Sequence, residues 1–172
     1  MDCEKELRDV VSIRRIAQSE IDESARVIRE SFATVALEFG ITEENCPTHP
    51  AFITRISLDE MLRSGIELHG LFIYGCQVGA VTIENVGENA YYLGKLAILP
   101  DFRRRGLGDI LVGFAIDNVK ARGATLLKLA TVDKATRLKN WYKGFGFVET
   151  GTKKFDHMPF TVCFMQKRLT EE

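Results

Sequence analysis

The sequence predicts a mixed α/β domain with an α+β-like arrangement, and three observations carry that prediction. The chain has 172 residues, 45% hydrophobic and 27% charged. That suits one globular domain, residues 1–172, large enough to bury a core. Its apolar residues alternate between helical spacing and short β-branched runs. Finally, Leu96-Ala97-Ile98-Leu99 stops at Pro100, a basic turn follows, and Asp109-Ile110-Leu111-Val112-Gly113-Phe114-Ala115-Ile116 resumes with helical apolar spacing. A strand leading through a helix to a second strand predicts a parallel, right-handed crossover.

The elements follow in order. Residues 10–15 read as a short strand. Residues 20–39 have helical spacing through Ile21, Ala25, Ile28, Phe32, Val35, Ala36 and Phe39, and Gly40 stops them. The polar stretch 41–50 reads as a loop. Residues 51–63 read as a second amphipathic helix ended by Ser64-Gly65. Strands are expected over 67–74 and 78–85, forming a hairpin around Gly75-Cys76-Gln77. Val86-Gly87-Glu88-Asn89 turns the chain into a strand over 90–99. A helix from Gly106 or Leu107 runs to about Arg122 and ends at Gly123, followed by a strand over 125–131. A short helix over 136–145 precedes the last strands, 147–150 and 160–169. The sheet is therefore mixed, with antiparallel flanks and a parallel centre.

Composition excludes several classes. The net charge of −1 gives no global attraction to nucleic acid or an anionic membrane. Cys3, Cys46, Cys76 and Cys163 form no C-x-x-C pair and read as reduced thiols of a cytoplasmic protein. Met1-Asp2-Cys3-Glu4-Lys5-Glu6 lacks the apolar region of a signal peptide. No apolar run approaches the ~18 residues of a membrane span. His49 with Cys46 has no matching ligand pair, so no metal is expected.

The chemistry begins at Arg103-Arg104-Arg105-Gly106-Leu107-Gly108. Glycines at a helix start let the backbone approach a ligand, and the unpaired N–H groups from Arg104 to Asp109 form a concave anion site. No G-x-x-x-x-G-K-[ST] is present, and Leu111 occupies the third glycine position of a dinucleotide fingerprint. Nucleoside triphosphates and dinucleotides are thereby disfavoured.

Further on, Trp141-Tyr142-Lys143-Gly144-Phe145-Gly146-Phe147 follows a short helix and leads into a strand. The basic glycine turn, the strand Leu96-Ala97-Ile98 with its Pro100, this Y-x-x-x-G-F and the terminal strand Val162-Cys163-Phe164-Met165-Gln166-Lys167 resemble, in order and spacing, the GNAT superfamily of acyl-CoA-dependent N-acetyltransferases. The resemblance covers most of the chain. It implies a central, mixed, splayed sheet of about seven strands with about four helices, and a bulge in the strand before the glycine turn. Acetyl-CoA is the implied co-substrate. Its pantetheine arm would lie on Leu96, Ala97 and Ile98, and its pyrophosphate on Arg103, Arg104, Arg105, Gly106, Leu107, Gly108 and Asp109. The implied reaction is direct attack of a primary amine on the thioester, with a small molecule or peptide as acceptor. A homodimer stays open.

Three residues are the catalytic candidates. Tyr142 stands at the family position that protonates the leaving thiolate. Tyr92 stands where many family members carry a glutamate, and Glu84 on the preceding strand is the nearest carboxylate in sequence. The acceptor side is expected near Glu38, Glu43, Glu44 and His157, while Asp109 is expected to point outward and Lys95 to be edge-exposed or snorkelling. His69 reads as a strand residue with a satisfied ring. The family's usual CoA-contacting asparagine is replaced by Ala135. Tyr92 and Ala135 together leave a second reading, a CoA-binding or regulatory module of the same fold without catalysis.

Overall fold

A computed structural model describes residues 10–170; Cys3 and the N-terminal hexapeptide lie outside them. Among the described residues, seven strands form one sheet in the order β1-β2-β3-β4-β5-β7-β6. They are β1 (Val11–Arg15), β2 (Glu67–Ile73), β3 (Cys76–Gly87), β4 (Ala90–Ile98), β5 (Leu126–Val132), β6 (Val148–Lys154) and β7 (Thr161–Arg168). Only β4 and β5 pair in parallel; every other neighbour is antiparallel. The helices are α1 (Ile21–Phe39), α2 (Arg55–Arg63), α3 (Leu107–Ala121) and α4 (Thr136–Gly144).

Local chemistry sets the boundaries. Gly40 takes a left-handed φ of 63° and its N–H bonds the Ala36 carbonyl, closing α1 where the glycine predicts. The second helix begins later than expected. Thr54 and Ser57 cap each other's backbone N–H groups, so α2 starts at Arg55, and Pro50–Phe52 forms a separate 3-10 turn. The first hairpin turn is also displaced. Tyr74 and Gly75 hold φ of 50° and 79°, the positive pair that a tight two-residue hairpin requires, and Cys76 already belongs to β3. Strand β6 extends to Lys154, well past the expected stretch.

Two cores cover the two faces of the sheet. On one face, Val81, Ile83, Leu93, Leu127 and Leu129 pack with Leu107, Leu111, Val112 and Ala115 of α3. On the other, Leu68, Ala80 and Ala97 pack with Ile21, Ala25 and Ile28 of α1 and Leu58 of α2. A third, smaller cluster joins Ala36, Ile41 and Cys46 to Met158 and Phe160, so the loop after α1 meets the loop between β6 and β7.

Two irregularities shape the middle of the sheet. Strand β4 pairs with β5 only from Ala90↔Leu126 to Tyr92↔Lys128, and beyond Tyr92 the two strands part. Opposite β3, the register jumps from Ala80↔Ala97 to Thr82↔Gly94. Strand β4 therefore carries one extra residue there, and Lys95 adopts φ 44°. The splay and the bulge implied by the family resemblance are both present.

Candidate active site

A cavity of about 940 Å³ opens where β4 and β5 separate. Leu96, Ala97 and Ile98 line one side, Leu129 to Val132 the other, and the turn before α3 closes one end. The N–H of Leu99 donates to the Val78 carbonyl at 2.9 Å. By the alternation of an antiparallel ladder, the N–H and C=O of Ile98 then point away from β3, toward the split. Its carbonyl is taken by Arg103 Nε at 3.1 Å, and its N–H faces the cavity.

The turn before α3 presents backbone amides to the cavity end. Arg104 and Gly106 hold φ of 62° and 75°, and α3 starts without a side-chain cap. The first bond of this helix runs from Ile110 N–H to the Gly106 carbonyl at 3.2 Å, so the amides of Leu107, Gly108 and Asp109 lie ahead of it. Gly108 has a packing reason as well: a Cβ there would come within 3.2 Å of the Trp141 ring. Asp109 does not simply point outward. Its carboxylate accepts the Trp141 indole N–H at 2.8 Å, which ties the start of α3 to α4.

Arg103 turns away from the anion turn toward α1. Besides Ile98, its guanidinium donates to Thr34 Oγ1 at 2.9 Å and to the Ser31 carbonyl at 2.6 Å. Arg105 donates to the Asp101 carbonyl at 3.2 Å and lies over the Phe102 ring. Arg103→Ala removes three hydrogen bonds from a charged donor and is expected to cost on the order of 2 kcal/mol. The thermal midpoint should fall by roughly 4–8 °C. An unchanged midpoint in a melting curve would show that α1 and the turn are held together by other contacts.

Tyr142 is 5% exposed, lines the cavity and packs its ring on Phe147 at 5.7 Å and Trp141 at 4.9 Å. Burial raises its phenol above the ordinary range, and neighbouring Tyr92 adds to the rise. The helix that carries it is clamped from outside. Lys139 bridges Asp133 at 3.0 Å and Glu149 at 2.8 Å, and Lys143 reaches Glu149 at 2.8 Å.

Tyr92 is the last paired residue before the split and lines the cavity. Its phenol is raised chiefly by burial. Glu84 stands directly opposite Tyr92 in the β3–β4 ladder, so both side chains leave the same face of the sheet. Tyr142 and Tyr92 thus both line the cavity, while Glu84 stands behind Tyr92 on β3 and is not among the lining residues.

The acceptor side differs from expectation at several residues. Lys95 is not edge-exposed: the bulge turns it into the cavity, where burial lowers its ammonium and Glu84 partly offsets that. Glu38 lines the cavity, while Glu43 and Glu44 are exposed and away from it. His157 is exposed against Phe155, and its loop neighbours Met158 and Phe160 line the cavity instead. His49 lines it too, 8% exposed, through the 3-10 turn that spacing alone did not reveal. His69 lies elsewhere, buried against Phe114 at 5.0 Å; its Nδ1 lacks the partner that a satisfied ring would have.

A sheet split between parallel central strands, with an anion turn at one end and a buried phenol beside it, is the architecture of an acyl-CoA-binding acetyltransferase. Residues 37–147 match the model of the acetyltransferase (GNAT) family, and the chain belongs to that family. A comparison with curated protein sequences yields no match. Among solved structures, the ribosomal-protein-S18-alanine N-acetyltransferase of Escherichia coli is similar, with a TM-score of 0.72 at 16% identity over 94% of this chain and 96% of that one. The PaiA N-acetyltransferase of Thermoplasma acidophilum, in complex with coenzyme A, has a TM-score of 0.69 at 21% identity over 92% and 98%. YncA of Salmonella typhimurium, with its cofactor acetyl-CoA, has a TM-score of 0.69 at 14% identity over 95% and 96%. Each comparison establishes the shared fold. No helix among the described residues is long and apolar enough to cross a membrane.

Proposed function

We propose that this chain, acting as one catalytic domain over residues 1–172, transfers an acetyl group from acetyl-CoA to a primary amine of a small molecule or peptide. The observation that carries the reading is the split between β4 and β5, with Tyr142 buried beside it. The co-substrate fits the residues on both sides. The amides ahead of the first bond of α3, with Arg104 and Arg105, suit the pyrophosphate. The backbone of Leu96, Ala97 and Ile98 suits the pantetheine arm. The N–H of Ile98 is aimed at the split and suits the thioester carbonyl; comparable donors contribute about 2.7–4 kcal/mol to the transition state.

In the proposed step, Glu84 takes a proton from the acceptor ammonium, directly or through water held by Tyr92. The neutral nitrogen then forms a bond to the thioester carbon. The C–S bond breaks, the sulfur leaves with its electron pair, and Tyr142 supplies the proton that makes it a thiol. The second nitrogen-bound proton passes through solvent to the Tyr142 phenolate, Glu84 gives up its proton to solvent, and both residues regain their starting state with one proton released overall. The Tyr142 phenol is protonated at neutral pH, as a proton donor must be, and burial strengthens its hold on that proton.

The test is thiol release from acetyl-CoA in the presence of amines. Steady turnover with acetylated product is expected with at least one primary amine. Binding of acetyl-CoA without turnover across polyamines, amino acids, aminoglycosides and peptide N-termini would favour the CoA-binding module instead.

A further inference from the structure

The acceptor half of the cavity holds a cation that the transfer step does not require. Lys95 reaches this space because β4 bulges at it, with φ 44°. Among the described residues, its ammonium takes part in none of the ion pairs. A partly desolvated cation without a close carboxylate is costly, and an anion entering beside it relieves that cost. Burial already pulls Lys95 below its ordinary range.

His49 adds a second donor next to this cation. Its Nδ1 accepts the Ala51 N–H at 3.2 Å, so the neutral ring carries its proton on Nε2. Burial and the nearby Lys95 charge hold this histidine down at about 4. The ring is therefore neutral at physiological pH, and its free nitrogen donates rather than accepts. Glu84 supplies the opposite charge from the neighbouring strand and interacts electrostatically with Lys95. Around these polar groups, Phe32, Phe39, Met158 and Phe160 form apolar walls.

We propose that the acceptor is a zwitterionic, amino-acid-like molecule with an apolar side chain, its carboxylate held by Lys95 and by His49 Nε2–H and its amine directed to Glu84. This rests on the acetyl-transfer reading and adds the chemical class of the acceptor. Lys95 repels an ammonium group that takes the carboxylate's place beside it, so a polyamine has to rely on Glu38 elsewhere in the cavity lining. It equally disfavours an apolar amine that has no carboxylate, since that molecule leaves Lys95 unpaired in the occupied cavity.

The experiment compares L-phenylalanine, phenethylamine and spermidine by thiol release, in the native chain and in Lys95→Met. Phenethylamine keeps the ring and the amine of phenylalanine and lacks only the carboxylate. The native chain should show kcat/KM at least about tenfold higher for L-phenylalanine than for phenethylamine, a difference of the size that one charge-assisted contact contributes. In Lys95→Met the ratio should fall most of the way to unity, with His49 Nε2–H alone left to hold the carboxylate, mainly through KM, while acetyl-CoA affinity measured by calorimetry is unchanged. Lys95→Arg should restore the preference in part. A native ratio at or below unity overturns the proposal whether or not the variants fold, and so does a preference that survives undiminished in Lys95→Met. Turnover of phenethylamine or spermidine without preference leaves acetyl transfer standing and removes only this acceptor class. Absence of thiol release with every amine, in a chain that binds acetyl-CoA, removes the transfer reading and this proposal together.

Discussion

Tyr142→Phe is expected to lower the single-turnover rate of acetyl transfer by about 10²–10⁴-fold, the usual contribution of a positioned general acid. Acetyl-CoA affinity should be almost unchanged, because the substitution removes one oxygen from a ring that keeps its packing on Phe147 and Trp141. Single turnover is the proper measurement, since it separates chemistry from product release. A second readout comes from pH. Desolvation disfavours the phenolate and raises the Tyr142 phenol above its ordinary range. The group thus stays protonated through neutral and mildly alkaline pH, and the native profile should show no falling limb from it below about pH 10. An unchanged rate in Tyr142→Phe would remove the general-acid role. A falling limb at pH 8 that disappears in the variant would show that burial does not hold the proton as described.

Gly106→Val is expected to weaken acetyl-CoA binding by at least about tenfold, and Gly106→Ala by less. The position requires φ 75°, which costs an L-residue roughly 1–2 kcal/mol and a β-branched one more. Among the described residues, apart from its neighbours in the chain and the backbone of α3, nothing lies within 4 Å of the place a Cβ would take, so crowding is not the cause. The damage falls on the direction of the amides at the start of α3. Once residue 106 leaves the left-handed region, Leu107, Gly108 and Asp109 no longer present their N–H groups together. Calorimetry checks this, and normal affinity in the valine variant would mean that the pyrophosphate binds elsewhere.

Much of the donor side was legible in the sequence because it depends on residues with special backbone or chemical character. Gly106 announces a turn, the switch from strand to helical spacing places α3, and the aromatic-glycine run that ends α4 brings Tyr142 to the split. The acceptor side depends on features without such marks. Strict alternation along β4 would send Lys95 to the face of Leu93, against α3; the bulge shifts the phase and turns it into the cavity. Nothing in the residue types around position 95 advertises that extra residue. The start of α2 was misplaced because Ala51 and Phe52 continue a helical spacing that the mutual capping of Thr54 and Ser57 interrupts. The same error concealed His49, whose 3-10 turn aims it at the cavity. Strand β6 escaped in part because every one of its residues is exposed, leaving no apolar alternation to read.

The small cluster of Ala36, Ile41, Cys46, Met158 and Phe160 has a consequence for how such an enzyme changes over generations. It is a separate patch of apolar packing, distinct from the two cores that hold the sheet to its helices. Cys46, Met158 and Phe160 of this cluster line the cavity, so substitutions there reshape its wall while the turn before α3 keeps its own support. The cavity wall at this end can therefore change while the packing that holds β4 and α3 together stays as it is.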